Sequence, residues 1–250
     1  MDKVRAIIPA AGKGKRLQPL SGDIPKAMFK VGSRPMLDIV LENVSFIDRE
    51  DIYIVVGCGK EMIKDHLKDS YKYVEQREQL GTGHAVMECA PCFEGYEGCV
   101  LVTFGDMPLF RYDEMKKMCE EHLTSGAACT LMTAENPDLT MWARVKRDGE
   151  GNFVSIVEGK DCNEEEKNIK ELFSGVIVFG SKALFSLLPK LGRHNAQGEY
   201  YLTEVPELMV REGMKVNTYM TPDGDDLRGI NTPEDLEACL RILESRGMLK

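Results

Sequence analysis

Val4-Arg-Ala-Ile-Ile-Pro9, followed at once by Ala10-Ala-Gly-Lys-Gly-Lys-Arg16, is the stretch that decides the fold class of this chain. A short, nearly unbroken apolar run is the pattern of a strand buried on both faces. A loop of small residues directly behind such a strand lets backbone N–H groups come close to phosphate oxygens. The same punctuation recurs downstream. Residues 35–44 carry apolar side chains at helical spacing, Ile52-Tyr-Ile-Val-Val56 is a second β-branched run, and residues 61–68 return to a helical pattern. Residues 72–75 read as a short strand, residues 83–89 as a helix and residues 99–104 as another buried strand. Strand and helix in alternation predict an α/β fold with a mostly parallel sheet covered by helices on both faces.

The rhythm changes after about residue 126. Residues 127–133, 143–147, 153–158 and 172–179 read as strands separated by turns such as Asp148-Gly149, and helical patterns return at 181–188, 203–212 and 233–244. No internal repeat or linker interrupts the chain. The expectation is a single domain over residues 1–250, with a nucleotide-binding half to about 125 and a mixed α/β substrate half after it.

Composition narrows the function classes. With 250 residues, 43% of them hydrophobic, the chain can fill a sizeable core. A net charge of −9 argues against a general nucleic-acid surface, which needs clustered excess Lys and Arg. No apolar run approaches the roughly 20 residues of a membrane helix, and Met1-Asp2-Lys3 leads into a strand pattern without a leader segment. A cytoplasmic protein with no membrane and no nucleic-acid partner is expected. The eight cysteines follow no disulfide framework and read as reduced side chains. Cys89-Ala-Pro-Cys92 has redox spacing, but no second such pair completes a zinc site, and it reads as structural.

An anionic ligand must therefore be held by local cations, backbone amides or a metal. Gly12-Lys-Gly14 lacks the third glycine of a dinucleotide loop and the Gly-Lys-Ser/Thr of a P-loop. Arg16 and Lys26, the latter in Pro25-Lys26, would bring two positive charges to one polyphosphate. Asp106 ends an apolar strand, where an open α/β sheet places its ligand crevice. One carboxylate with a neutral oxygen, completed by phosphates and waters, suits Mg²⁺. By itself Asp106 could equally be a turn aspartate before Pro108, and Asn231 a residue near a helix cap before Pro233.

Taken together, Ala10-Ala-Gly-Lys-Gly-Lys-Arg16 with Pro25-Lys26 resembles the signature of the sugar-phosphate nucleotidyltransferases. Gln76-Arg-Glu-Gln-Leu-Gly-Thr-Gly-His-Ala85 and Asn195-Ala-Gln-Gly-Glu-Tyr-Tyr-Leu-Thr-Glu204 resemble the uridylyltransferase domain of the bacterial N-acetylglucosamine-1-phosphate uridylyltransferases. Phe104-Gly-Asp-Met-Pro-Leu109, Ile156-Val-Glu-Gly-Lys-Asp161 and Gly229-Ile-Asn-Thr232 follow in the same order, so the resemblance runs from about residue 4 to about residue 240.

It implies a Rossmann-like fold of the nucleotide-diphospho-sugar transferase type. It also implies that UTP and N-acetylglucosamine 1-phosphate form UDP-N-acetylglucosamine and pyrophosphate with Mg²⁺. Ala10, Ala11, Gly12 and Gly105 would line the nucleotide, with Gln76, Gly81 and Thr82 at the uracil and Lys13 helping at the outer phosphates. Arg16 and Lys26 would be catalytic, and Asp106 and Asn231 the metal ligands. Ala143, Glu158, Phe173, Tyr201 and Thr203 would form the sugar pocket of the second half.

Two departures bear on the sugar. Met141-Trp-Ala-Arg144 stands where the family has Gly-Tyr-Gly-Arg, and Phe173-Ser-Gly175 where it has Asn-Thr-Gly. Another sugar 1-phosphate, another nucleotide, or a non-catalytic sensor of nucleotide sugars are the alternatives these changes leave open. The bifunctional relatives continue into hexapeptide repeats bearing an acetyltransferase; none occurs here, so acetyl transfer is not expected and a monomer or homodimer is.

Overall fold

The computed structural model describes residues 1, 3–14, 16–17 and 24–248. Its strands are β1 (Val4–Pro9), β2 (Lys30–Val31), β3 (Arg34–Pro35), β4 (Ile52–Val56), β5 (Lys72–Glu75), β6 (Cys99–Val102), β7 (Cys129–Glu135), β8 (Arg144–Arg147), β9 (Phe153–Val157), β10 (Glu171–Gly180) and β11 (Val216–Met220). The α-helices are α1 (Met36–Asn43), α2 (Lys60–Leu67), α3 (Thr82–Met87), α4 (Tyr112–Ser125), α5 (Ser181–Leu187), α6 (Val205–Arg211) and α7 (Pro233–Ser245).

Among the described residues one sheet of nine strands forms, in the order β11-β7-β10-β6-β1-β4-β5, with the β8–β9 hairpin attached through β10. β1 pairs in parallel with β4 and β6, and β5 in parallel with β4. The period of 2 along each strand splits its side chains between two apolar layers. Val4, Ala6 and Ile8 of β1, with Ile52, Ile54 and Val56 of β4, face α1 and α4 through Leu37, Val40, Met115 and Met118. Ile7, Tyr53, Val55, Val100 and Val102 face the opposite layer, with Ala85 and Val86 of α3, Leu184 of α5 and Met209 of α6. A strand covered on both sides must be apolar on both sides, which is why these runs show little alternation.

The second half enlarges the same sheet. Along the path β10 runs antiparallel to both neighbours, while β11 lies parallel to β7. β10 meets β6 through its second half, Ile177 to Gly180 opposite Val102 to Cys99. Its first half continues past the end of β6, where Leu172 and Phe173 pair with Ala134 and Thr133 of β7, and Leu172 also with Arg144 of β8. The register shifts between Phe173 and Ile177, and Gly175 sits there at φ 90°, a region costly for any residue with a Cβ. This overhang carries the β8–β9 hairpin out over the end of the parallel strands.

The predicted elements are present, β1, β4 and β5 with the expected ends and the others with ends moved by one to a few residues. The helix expected at 203–212 begins as a tight turn, Leu202–Glu204, before α6. The sequence pattern does not predict four of these elements: the short β2–β3 pair, α4 and β11. α4 buries Met115, Met118, Cys119 and His122, a one-face spacing of 3, 1 and 3. β11 is a largely half-buried edge strand, so its apolar signal is weak. Among the described residues no helix is long and apolar enough to cross a membrane.

Candidate active site

The loops behind β1, β5 and β6 converge because parallel strands deliver their C-terminal ends to one edge of the sheet. Ala10, Ala11 and Gly12 follow β1, Gln76 follows β5, and Gly105 and Asp106 lie beyond β6; all line one cavity together with Lys26, Gly81 and Thr82. Close approach sets the residue types. Gly105 N donates to Pro9 O at 3.0 Å, and a Cβ at 105 would lie 3.2 Å from the Cβ atoms of Ala10 and Ala27.

Gly81 has φ 114°, and a Cβ there would stand 2.6 Å from the Tyr200 carbonyl oxygen. That contact exists because residues 80–83 dock against 200–202. Tyr200 N donates to Leu80 O at 2.8 Å, Gly83 N to Tyr200 O at 2.8 Å, and Leu202 N to Thr82 Oγ1 at 3.0 Å. Asn195 braces the partner loop, accepting from Glu199 N at 3.1 Å and donating to Glu199 O at 2.7 Å.

A cationic cluster stands beside this cavity. Lys26 Nζ donates to Asp106 Oδ2 and, at 2.8 Å, to Asn231 Oδ1, which also accepts from Arg16 Nη2 at 3.2 Å. Asn231 reaches this point from 205 residues beyond Lys26 in sequence. Its backbone is held firmly. Ile230 N donates to Asp106 O at 3.0 Å, and Asn231 N and Thr232 N both donate to Asp235 Oδ2 at 2.9 Å. Thr232 and Asp235 form the capping box that starts α7.

Among the described residues no group of three or more His, Cys, Asp and Glu side chains gathers as a metal site. Instead two hard oxygens, the Asp106 carboxylate and the Asn231 amide carbonyl, face one point of positive charge, the Lys26 ammonium. Two protein oxygens aimed at a shared cation fit Mg²⁺, which usually takes one or two protein carboxylates and completes its shell with phosphate and water.

A second cavity opens from the first, the two sharing Thr82, Phe104 and Asp106. Ala143, Glu158, Phe173, Thr203, Arg16 and Asn231 line it. Glu158 Oε1 accepts from Thr203 Oγ1 at 2.9 Å. Burial pushes the Glu158 carboxyl above the ordinary glutamate value, and the Thr203 hydrogen bond offsets part of that rise. One wall is apolar, made by Met107, Met141, Trp142 and Phe173, and Trp142 Nε1 donates to Leu227 O at 3.0 Å.

Two expected residues fall elsewhere. Lys13 is exposed and lines neither cavity. Tyr201 is buried behind the wall, its hydroxyl accepting from Gln197 Nε2 at 2.9 Å, and Gln197 is the residue that reaches the second cavity. Sequence reasoning missed Gln197 and Lys160, which bond each other at 2.9 Å on the cavity wall, and Gln79 and Glu199 in the first cavity. All four lie inside motifs quoted above, so motif membership was the available signal. The eight cysteines, all within the described residues, are free, and burial raises the Cys89 thiol well above its ordinary value.

Over 246 residues the chain is 39% identical to the bifunctional protein GlmU of Geobacillus thermodenitrificans, covering 98% of this chain and 53% of that one. It is 38% identical over 246 residues to the bifunctional protein GlmU of Enterococcus faecalis, again 98% of this chain and 53% of the relative. The chain thus spans about half the length of the curated relatives it matches. In fold it resembles a UDP-glucose pyrophosphorylase complexed with UDP-glucose, with a TM-score of 0.77 at 17% identity over 97% of this chain and 98% of the other. Residues 5–226 match the nucleotidyl transferase family. The resemblance carried by the glycine-rich loop and the motifs after it is thereby borne out: the chain belongs to the nucleotidyl transferase family.

Proposed function

We propose that the protein joins UTP to a sugar 1-phosphate, N-acetylglucosamine 1-phosphate in the leading reading, giving the UDP-sugar and pyrophosphate. The observation that carries this is the Arg16–Asn231–Lys26–Asp106 cluster, which stands where the two cavities meet. A nucleotide bound over Ala10 to Gly12 and a sugar phosphate bound beside Glu158 would bring their phosphates together at that junction.

The reaction needs no protein nucleophile. A phosphate monoester has its second pKa near about 6 and is largely dianionic at neutral pH. One of its oxygens attacks the α-phosphorus of UTP in line, a new P–O bond forms, and the bond to the β-phosphate oxygen breaks with pyrophosphate leaving. The protein contributes positioning and charge neutralisation. Lys26 and Arg16 leave Asn231 and Asp106 for phosphate oxygens as substrates enter. Gln76, Gly81 and Thr82 hold the base, and Glu158 and Thr203 hold sugar hydroxyls. Tyr201 acts through Gln197. Asp106 and Asn231 would hold Mg²⁺, which when bound supplies further charge neutralisation at the phosphates.

A second reading keeps the chemistry and changes the sugar. Phe173 and Ala143 favour it, because they place an aromatic ring and a methyl group on the cavity wall. Pyrophosphate release from UTP and Mg²⁺ with a panel of sugar 1-phosphates tests both, beside an Asp106→Ala control. Turnover with N-acetylglucosamine 1-phosphate, lost in the control, supports the leading reading. Release with a different sugar moves the specificity, and silence across the panel removes the catalytic proposal.

A further inference from the structure

Gln76 is 4% exposed at the rim of α3, and its amide is held by two groups of fixed character. Gln76 Nε2 lies 3.1 Å from Gly81 O and 3.1 Å from His84 Nδ1. A backbone carbonyl has no hydrogen to give, so the amide NH₂ must face it, and the second N–H of that group points at the imidazole. His84 Nδ1 is therefore the lone-pair nitrogen. Its proton sits on Nε2, which is 3.0 Å from Glu88 Oε1, one turn further along the same helix. Both ends of this relay, the Gly81 carbonyl and the Glu88 carboxylate, can only accept. The direction of every hydrogen bond between them follows: Gln76 to Gly81, Gln76 to His84, His84 to Glu88.

We propose that His84, oriented by Glu88, is a positioning residue that locks the Gln76 amide with its carbonyl oxygen toward the nucleotide cavity and so selects the base. Gln76 lines that cavity. Both N–H groups of the amide are taken up by Gly81 and His84, so Oε1 is the group of this lining side chain left for a ligand. An acceptor fixed there takes a pyrimidine with a ring N–H at its pairing edge, uracil or thymine. It meets the bare ring nitrogen of cytosine lone pair to lone pair. If the amide were free to rotate, it could present its NH₂ instead and the discrimination would collapse. Tyr200, whose ring stacks on His84 at 6.2 Å between centroids, closes the other face of the imidazole, with Arg193 over the Tyr200 ring.

This inference rests on the reading that the first cavity holds the nucleotide base, and its test separates the two. UTP and CTP binding is measured by calorimetry, independently of turnover, on the parent protein, His84→Leu and His84→Asn. Asparagine places an acceptor oxygen near the Nδ1 position, whereas leucine offers none. The parent is expected to prefer UTP, His84→Leu to lose at least about tenfold of the UTP-to-CTP preference, and His84→Asn to keep it within about threefold. An unchanged ratio in His84→Leu, equal losses in both variants, or a parent that binds UTP and CTP alike overturns the proposal. Binding of UTP with no turnover on any sugar phosphate would count against the proposed reaction and leave this test intact. Long-range ¹H–¹⁵N correlation on the parent needs no variant to fold: protonation at Nε2 is expected, and a proton on Nδ1 refutes the relay.

Discussion

Asp226→Asn removes the charge at the centre of the contact that holds the Asn231 segment to the Asp106 loop. Asp226 is fully buried, yet its carboxylate accepts from Arg111 Nη2 at 2.9 Å, Arg246 Nη2 at 2.8 Å and Thr221 Oγ1 at 2.6 Å, with Arg111 Nε at 3.1 Å. Asparagine keeps one oxygen and turns an NH₂ toward guanidinium donors. Breaking a buried ion pair from one side costs about 3–5 kcal/mol. Both arginines retain partners, Arg246 with Asp223 at 2.6 Å and Leu109 O at 2.8 Å, and the Arg111 side chain is 33% exposed. The lower end, about 3 kcal/mol, is therefore expected, or a fall in Tm of roughly 6–12 °C for a chain of this size. Urea unfolding and a thermal melt measure it. Asp225→Asn is the control: Asp225 holds Arg228 and Asn136 near the surface, so its loss should stay below about 1 kcal/mol. A loss under about 1 kcal/mol for Asp226→Asn, or equal losses for the two, refutes the claim that the buried carboxylate clamps this segment.

Three further outcomes are expected. His122 is buried against Thr130, and burial lowers its pKa from 6.5 to about 4. In that window the unfolded chain binds a proton the folded one refuses, so stability falls as pH drops from 6.5 toward 4, by about 3 kcal/mol in all; His122→Gln should flatten that slope in urea titrations across the acidic range. Glu158 titrates in the opposite sense. Its carboxyl is raised by burial, so its contribution is full below the ordinary glutamate value and lost as pH rises through the folded one; Glu158→Gln should gain stability over the parent toward neutral pH, and a constant difference across pH would contradict this. Gly81→Ala combines a positive φ with a Cβ 2.6 Å from Tyr200 O; a loss of about 2 kcal/mol or more in unfolding, with weakened UTP binding, is expected.

The parallel half of the sheet is legible in the amino-acid sequence. Runs such as Ile52–Val56 and Cys99–Val102 are apolar on both faces because helices cover both faces, and that property is local. Parallel strands place whatever follows them at one edge, which puts Asp106 at the crevice, whereas Ala10 and Gln76 were implied by the resemblance of their motifs; all three line the first cavity. The buried face of α4, Met115, Met118, Cys119 and His122, is an equally local pattern. The rest depends on folding, because partners far apart in sequence are chosen by shape and packing rather than by neighbours. The insertion of β10 antiparallel between β6 and β7, and the overhang that puts Phe173 on the cavity wall, depend on which strands pair. The meeting of Lys26, Asp106 and Asn231 depends on α7 docking beside the β6 loop. The inward turn of Tyr201, the distance of Lys13 from either cavity and the tautomer of His84 are set by the groups that surround each side chain, and those groups become neighbours when the chain folds.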